Sequence, residues 1–326
     1  MVDNRKTLLS GIKPTGRPHI GNYFGAMRQF VTMQEQYRSF IMIPDYHALT
    51  SLNNPDELRK NILNVAIDYL AIDLDPEKCV IFKQSDVPEH TELTWIFNCI
   101  TTMPYLMRAH AYKDALAKNN EVGVGTFDYP MLMATDILLY SPDLVPVGAD
   151  QKQHVEIARD TAEKFNRVYG ETFKIPEALI LAEVGVIPGT DGQKMSKSYN
   201  NTIGLFAEKD EIEKAIMKIQ TDSRGIDESK DKTSALYILH KLVSDTAVFE
   251  KINEQFEKGG VGYQEIKHSL IENMERFIAP FRQKRKEIVA DTAHVLAVLQ
   301  EGGKKARAVA GPKMQEIRKK IGVTLY

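Results

Sequence analysis

Thr7-Leu8-Leu9-Ser10-Gly11 leads through the turn-rich Ile12-Lys13-Pro14-Thr15-Gly16-Arg17-Pro18 into His19-Ile20-Gly21-Asn22. A short apolar run, a Gly/Pro loop and a helix start, in that order, read as a first strand and its crossover helix, which is expected to reach about Tyr37. Ser39-Phe40-Ile41-Met42-Ile43 is a second strand, stopped by Pro44. The next helix has a marked beginning: Asn54 as cap, Pro55 in the first position, and Asp56 and Glu57 where the helix dipole favours anions. Leu58, Ile62, Val65, Ala66, Tyr69 and Leu70 step by three and four, giving it one buried face. Cys79-Val80-Ile81-Phe82 is a third strand. All three strands are apolar throughout rather than alternating, as strands covered on both faces are. The expected fold class is therefore α/β, a Rossmann-type doubly wound parallel sheet.

Further along, Glu89 to about Asn119 has helical periodicity with a loop near Met103-Pro104, and Trp95, the single tryptophan, is expected in the core. Glu121 to Gly125 reads as a joint, Pro130 to Tyr140 as a helix, and Leu144-Val145-Pro146-Val147 as another strand. Gly148-Ala149-Asp150 opens a long helix that ends before Gly170. Gly185 to Asn201, rich in Gly, Ser, Asn and Lys, reads as an exposed mobile loop. The remainder is helical in period, with Gly259-Gly260 and Gly302-Gly303 as breaks. Two domains are expected: residues 1–205, α/β with a helical insertion at about 89–140, followed by an α-helical domain over 206–326.

The composition excludes several classes. In 326 residues, 43% hydrophobic and 26% charged are globular proportions, neither disordered nor collagen-like. The net charge of −2 conceals an excess of 11 basic over 4 acidic side chains between Arg282 and Lys320, a patch suited to phosphates. Cys79 and Cys99 are the only cysteines, too few for a disulfide framework or a four-thiolate metal site, and are expected to be buried free thiols. No apolar run approaches the roughly 20 residues that span a bilayer, and Met1 to Lys6 does not open a signal peptide, so a cytoplasmic protein without membrane association is expected.

Two segments point to polyphosphate chemistry. A helix tip at the carboxyl edge of a parallel sheet offers N–H groups and a positive dipole end to an anion, Gly21 leaves room for close approach, and His19 and Asn22 add donors. Lys194-Met195-Ser196-Lys197-Ser198 places two lysines three residues apart among serines, able to neutralise a triphosphate.

These segments resemble the two signature motifs of class I aminoacyl-tRNA synthetases, "HIGH" and "KMSKS". The second is matched at all five positions; in the first, Asn22 replaces the final histidine. Phe127 to Tyr140, Val145 to His154, Ser10 to Gly16 and Gln84 to His90 resemble, more narrowly, the tryptophanyl family within that class. The resemblance is strong over about residues 7 to 200. It implies a Rossmann catalytic domain, a helical domain that reads the anticodon, a homodimer, and ATP with Mg²⁺ as substrate, with no tightly bound metal or cofactor. It also implies an ATP-dependent ligase that makes tryptophanyl-adenylate and passes the acyl group to tRNA(Trp), releasing AMP and pyrophosphate.

The resemblance carries roles position by position. His19, Asn22, Lys194 and Lys197 would be catalytic. Asp136, Met133, Tyr129, His47, Gln151, Val145 and Val147 would hold tryptophan: Asp136 accepting from the indole N–H, Met133 giving a polarizable wall, Tyr129, His47 and Gln151 handling the α-amino and carboxylate ends. Lys13, Pro14, Thr15, Gly21, Asn22, Gly148, Ala149, Asp150, Ile187, Lys194, Met195, Ser196, Lys197 and Ser198 would hold ATP. Tyrosyl-tRNA synthetases share the Tyr129–Asp136 pattern, and typically carry glutamine where Met133 stands. Leu9 stands where many relatives have an aromatic residue, and Lys13 where an amide is common. A non-catalytic paralogue that binds tryptophan or RNA is the reading of a different class; such proteins commonly lose phosphate-handling groups, whereas His19, Gly21, Lys194 and Lys197 are all present.

Overall fold

The computed structural model of the chain describes residues 5–117, 121–147, 152–180 and 186–325. Its contacts gather into two compact units. The first joins Met1–Gly16, Phe30–Ala182 and Asp291–Tyr326; the second joins Arg17–Gln29 and Glu183–Ala290. The grouping departs from the expected division at residue 205, because the last helix of the chain packs in the sheet unit.

In the first unit, β1 (Thr7–Gly11), β2 (Arg38–Ile43), β3 (Cys79–Lys83), β4 (Leu144–Val147) and β5 (Glu177–Ile180) form a parallel sheet in the order β3-β2-β1-β4-β5. The reversal of strand order at β1 makes this a doubly wound sheet, with loops that gather ligands at the carboxyl edge. β2 is buried along five of its six residues, which accounts for its unbroken apolar sequence.

The chain's helices begin with a helical stretch made of α1 (Ile20–Asn22), a wider π turn at Tyr23–Met27, and α2 (Arg28–Gln36). α3 (Asp45–Ala48) follows β2 directly. α4 (Pro55–Ala71) starts as its sequence predicts: Asn54 Oδ1 accepts from the N–H groups of Asp56 and Glu57 at 3.0 and 3.1 Å. The helical pattern after residue 89 resolves into α5 (Glu89–Ile100), α6 (Met103–Leu106) and α7 (His110–Ala117). α8 (Val124–Leu139) begins six residues before Pro130, with the extended Gly123 as its cap, so the proline lies inside the helix rather than at its start. α9 (Lys152–Tyr169) stops at Gly170, whose φ of 88° a side chain would resist.

Trp95 is 70% exposed, contrary to the expectation of a core position. The buried face of α5 runs through His90, Leu93 and Phe97, and a residue two positions beyond Leu93 points away from it. Cys99 is exposed as well, whereas Cys79 is buried and its thiol is pushed up to about 12, mainly by desolvation.

α14 (Thr292–Lys320) overturns another expectation, since Gly302-Gly303 does not break it. A Cβ on Gly302 would lie 1.8 Å from the Ile81 carbonyl oxygen, so the glycine lets the helix backbone rest on β3, the edge strand of the sheet. Ala306, Ala310, Met314 and Ile317 of the same helix enter the core cluster with Leu9, Phe40, Phe82 and Val145.

The second unit holds α10 (Lys209–Met217), α11 (Ala235–Val243), α12 (Thr246–Lys258) and α13 (Tyr263–Ala290). Phe24 and Phe277 stack with centroids 5.3 Å apart, and Tyr23 and Phe281 close around them. Gly259 and Gly260 end α12 at φ of 77° and 85°, as expected of a break. None of the helices among the described residues is long and apolar enough to cross a membrane.

Candidate active site

Each unit carries one cluster of chemistry-bearing side chains. In the sheet unit, the carboxyl ends of β2 and β3 deliver His47 on α3, Gln84 on the turn after β3 (Gln84–Asp86) and His90 on α5 toward Asp136 on α8. Asp136 is 3% exposed. Its Oδ2 is 2.8 Å from His47 Nε2; its Oδ1 is 2.6 Å from both Gln84 Nε2 and His90 Nδ1. A buried carboxylate without partners would take up a proton. Burial does push this one upward, but the bonds from His47 and His90 outweigh it and hold the acid below the usual carboxylate range. It is therefore a carboxylate, an acceptor with one further lone-pair site to offer.

Leu9 and Val145 belong to the core cluster, and Met133, half-buried, packs against it. Tyr129 is elsewhere engaged: its hydroxyl is 2.6 Å from His154 Nε2, and its ring meets that of His47 edge-on at 5.9 Å. His47, read from the sequence as serving the α-amino and carboxylate ends of the amino acid, is hydrogen-bonded here to Asp136. A cleft of about 450 Å³ opens beside Tyr129, lined also by Tyr46, Thr50, Thr94, Asp128 and Leu132. Lys13 directs Nζ to Thr50 Oγ1 and Ser51 Oγ at 3.1 and 3.0 Å, and burial lowers its pKa. Pro14 is buried and Thr15 exposed. Gly148, Ala149, Asp150 and Gln151, and the Val147 side chain, lie outside the described residues.

The second cluster brings the two signature segments into contact. Ile20 N–H donates to Ile203 O at 3.0 Å, His19 bridges Gly204, and a Cβ on Gly21 would lie 2.9 Å from His19 Nδ1 and 3.3 Å from Met195 Cβ. The room that Gly21 leaves is filled by its own neighbours. His19 Nδ1 accepts from the Asn22 N–H at 3.3 Å, and Asn22 Oδ1 accepts from the His19 N–H at 3.1 Å, a reciprocal cap. This box explains why asparagine serves where the motif ends in histidine. It also occupies the Asn22 N–H, as Ile203 O occupies that of Ile20, so these groups of the helix tip, which the sequence reading offered to an anion, are already engaged. Two side-chain donors remain: with Nδ1 accepting, the neutral His19 ring carries its proton on Nε2, and Asn22 keeps its amide NH₂. Burial and the Lys197 charge lower His19 to about 4, so the ring is uncharged near neutrality.

The segment from Val186 to Asn201 carries hydrogen bonds of its own. Pro188 bridges Lys194, Met195 N–H donates to Ile187 O at 2.9 Å, and Ile187 and Met195 are buried. Asn201, 2% exposed, accepts from Ser196 N–H at 2.8 Å and donates to Asp191 at 2.7 Å and to Lys194 O. That pin leaves Lys194, Lys197 and Ser198 exposed on a fixed turn. Ser196 and Ser198 hydroxyls are 2.9 Å apart.

Sequence reasoning gave no role to Gln84, His90, Tyr140, His154 or Asn201. The basic stretch from Arg282 to Lys320 divides between the units, and much of it is engaged internally: Arg282 with Glu275 and Glu208, Arg307 with Glu89 at 3.1 Å, Arg318 with Glu92 at 2.7 Å.

Comparison with known proteins agrees in one direction. Residues 3–279 match the family model described as tRNA synthetases class I (W and Y). The chain is 47% identical over 319 residues to the tryptophan–tRNA ligase of Fusobacterium nucleatum, covering 98% of each. It is 48% identical over 317 residues to that of Rhodopirellula baltica, covering 97% of this chain and 99% of the relative. The crystal structure of tryptophanyl-tRNA synthetase from Campylobacter jejuni with ADP and tryptophan superposes with a TM-score of 0.91 at 44% identity, over 97% of this chain and 99% of that one.

Proposed function

The chain belongs to the class I tRNA synthetases of the tryptophan and tyrosine type, and from that membership we propose how its residues divide the work of tryptophan–tRNA ligation. It is a tryptophan–tRNA ligase: ATP activates tryptophan, and the acyl group is then passed to tRNA. In the first step the tryptophan carboxylate attacks the α-phosphate of Mg·ATP in line, pyrophosphate leaves, and tryptophanyl-adenylate remains. In the second, a terminal ribose hydroxyl of tRNA(Trp), by class the 2′ one, displaces AMP. Neither step needs an enzyme nucleophile; catalysis is positioning and stabilisation of charge on the transferring phosphoryl group.

Asp136 takes the indole N–H, with Leu9, Met133 and Val145 as the apolar walls of the ring slot. The buried carboxylate with a remaining acceptor site is the observation that carries this assignment. His47 keeps Asp136 charged and oriented. Tyr129 and Gln151 serve the polar end of the amino acid. Lys13, Pro14, Thr15, Gly148, Ala149, Asp150 and Ile187 hold ATP. His19 Nε2–H and the Asn22 amide meet the phosphates as neutral donors, while Lys194 and Lys197 supply the positive charge, with Met195, Ser196 and Ser198 shaping their turn. Neutral donors suit a group that gains negative charge only in the transition state. Tryptophan-dependent ATP–pyrophosphate exchange, run beside tyrosine, tests the assignment.

The enzyme works in the cytoplasm as a homodimer. The exposed apolar residues Trp95, Met103 and Met107 of α5 and the α6 region support self-association there. A Trp95→Asp variant that sediments as a monomer agrees with this; one that sediments as the wild type does contradicts it.

A further inference from the structure

His90 is fully buried and bonded at both nitrogens. A carboxylate has no proton to give, so His90 Nδ1 carries the hydrogen that bridges the 2.6 Å to Asp136 Oδ1. Its Nε2, on the far side of the ring, is hydrogen-bonded to the Tyr140 hydroxyl, 2.8 Å away. Burial, with the charges of Asp136 and Glu89, keeps that hydroxyl protonated. Gln84 donates to the same Oδ1, and its own orientation is set because its Oε1 accepts from Tyr46 N–H at 3.1 Å. The titratable groups around Asp136 are His47 from α3, His90 and Glu89 from α5 and Tyr140 following α8; Arg307 of α14 pairs with Glu89.

We propose that His90, clamped by Tyr140, is the positioning residue that presents Asp136 as a fixed, acceptor-only group and so makes the site prefer a ring bearing an N–H. The proposal rests on the reading that Asp136 accepts from the indole. Without His90, Oδ1 loses a charge-assisted bond, the carboxyl turns and takes up a proton more readily. A protonated acid both donates and accepts, and discriminates less well against a ring lacking the N–H.

The test is pyrophosphate exchange with tryptophan and with benzothienylalanine, whose ring has sulfur in place of N–H. For His90→Ala, the ratio of kcat/KM for the two amino acids should fall about ten-fold, and KM for tryptophan should rise more steeply than in the wild type as pH is lowered. His90→Asn, whose amide can stand in for Nδ1–H, should restore most of the ratio. Tyr140→Phe, which keeps the ring but frees its far end, should lower the ratio about three-fold, and it carries the test alone if His90→Ala does not fold. Wild-type ratios in the folded variants overturn the role of His90. A wild-type enzyme that uses both amino acids equally overturns the Asp136 reading itself, and this proposal with it.

Discussion

His47 Nε2 lies 2.8 Å from Asp136 Oδ2, so a residue on the short helix after β2 and a residue two helical turns past Tyr129 act as one hydrogen-bonded pair. Removing the acid takes away the partner of His47, Gln84 and His90 and, on the proposed assignment, leaves the indole N–H unpaired. Asp136→Ala should therefore lower kcat/KM for tryptophan by at least ten- to a hundred-fold, about 1.4–2.8 kcal/mol, with KM carrying most of the change. Steady-state pyrophosphate exchange measures it; a KM within two-fold of wild type contradicts the assignment.

Lys194 and Lys197 stand exposed on a turn pinned by Asn201. Replacing either by alanine should reduce adenylate formation by about 10²–10³, the scale of losing one electrostatic stabiliser of a transition state. Tryptophan affinity, measured by equilibrium dialysis, should stay within about two-fold of wild type. Wild-type exchange rates in both variants contradict a role for this turn.

His19 has its pKa lowered to about 4, first by burial and then by Lys197. In the unfolded chain an ordinary histidine titrates near 6.5, so below that pH the unfolded state binds a proton that the folded state refuses. The contribution to stability is whole above pH 6.5 and is lost as pH falls toward 4. Melting curves of wild type and His19→Asn should accordingly converge or separate mainly between pH 6.5 and 4, with the wild type the more acid-sensitive. Parallel Tm profiles contradict it.

Gly302 brings α14 onto the Ile81 carbonyl. Gly302→Ala inserts a methyl where no room exists and should destabilise the fold by about 1–3 kcal/mol or more, despite alanine's better helix propensity. Gly311, in the same helix with open space around it, should gain from the same change. Urea denaturation of both variants checks the pair; equal effects contradict the packing.

What the sequence disclosed was whatever depends on neighbours along the chain. The apolar strands, the Asn54 cap and the Gly170 and Gly259 stops are local, and the structure keeps them. Trp95, the start of α8 and Gly302 were misread because each depends on packing, the last on a strand some 220 residues earlier. The same holds for the candidate site. The motif lysines and Asp136 stand out in sequence by spacing and resemblance. Gln84 and His90 stand among other polar residues along the chain and Tyr140 closes an apolar run, so nothing local marks them; only tertiary proximity reveals Gln84 and His90 as partners of Asp136 and Tyr140 as the partner of His90.

The most direct measurement is ATP–pyrophosphate exchange by the purified enzyme with tryptophan and tyrosine in parallel. Exchange that depends on tryptophan, with kcat/KM for tyrosine lower by at least a thousand-fold and the tryptophan signal lost in Lys194→Ala, is the predicted result. Exchange supported equally by tyrosine, or by neither amino acid, contradicts it.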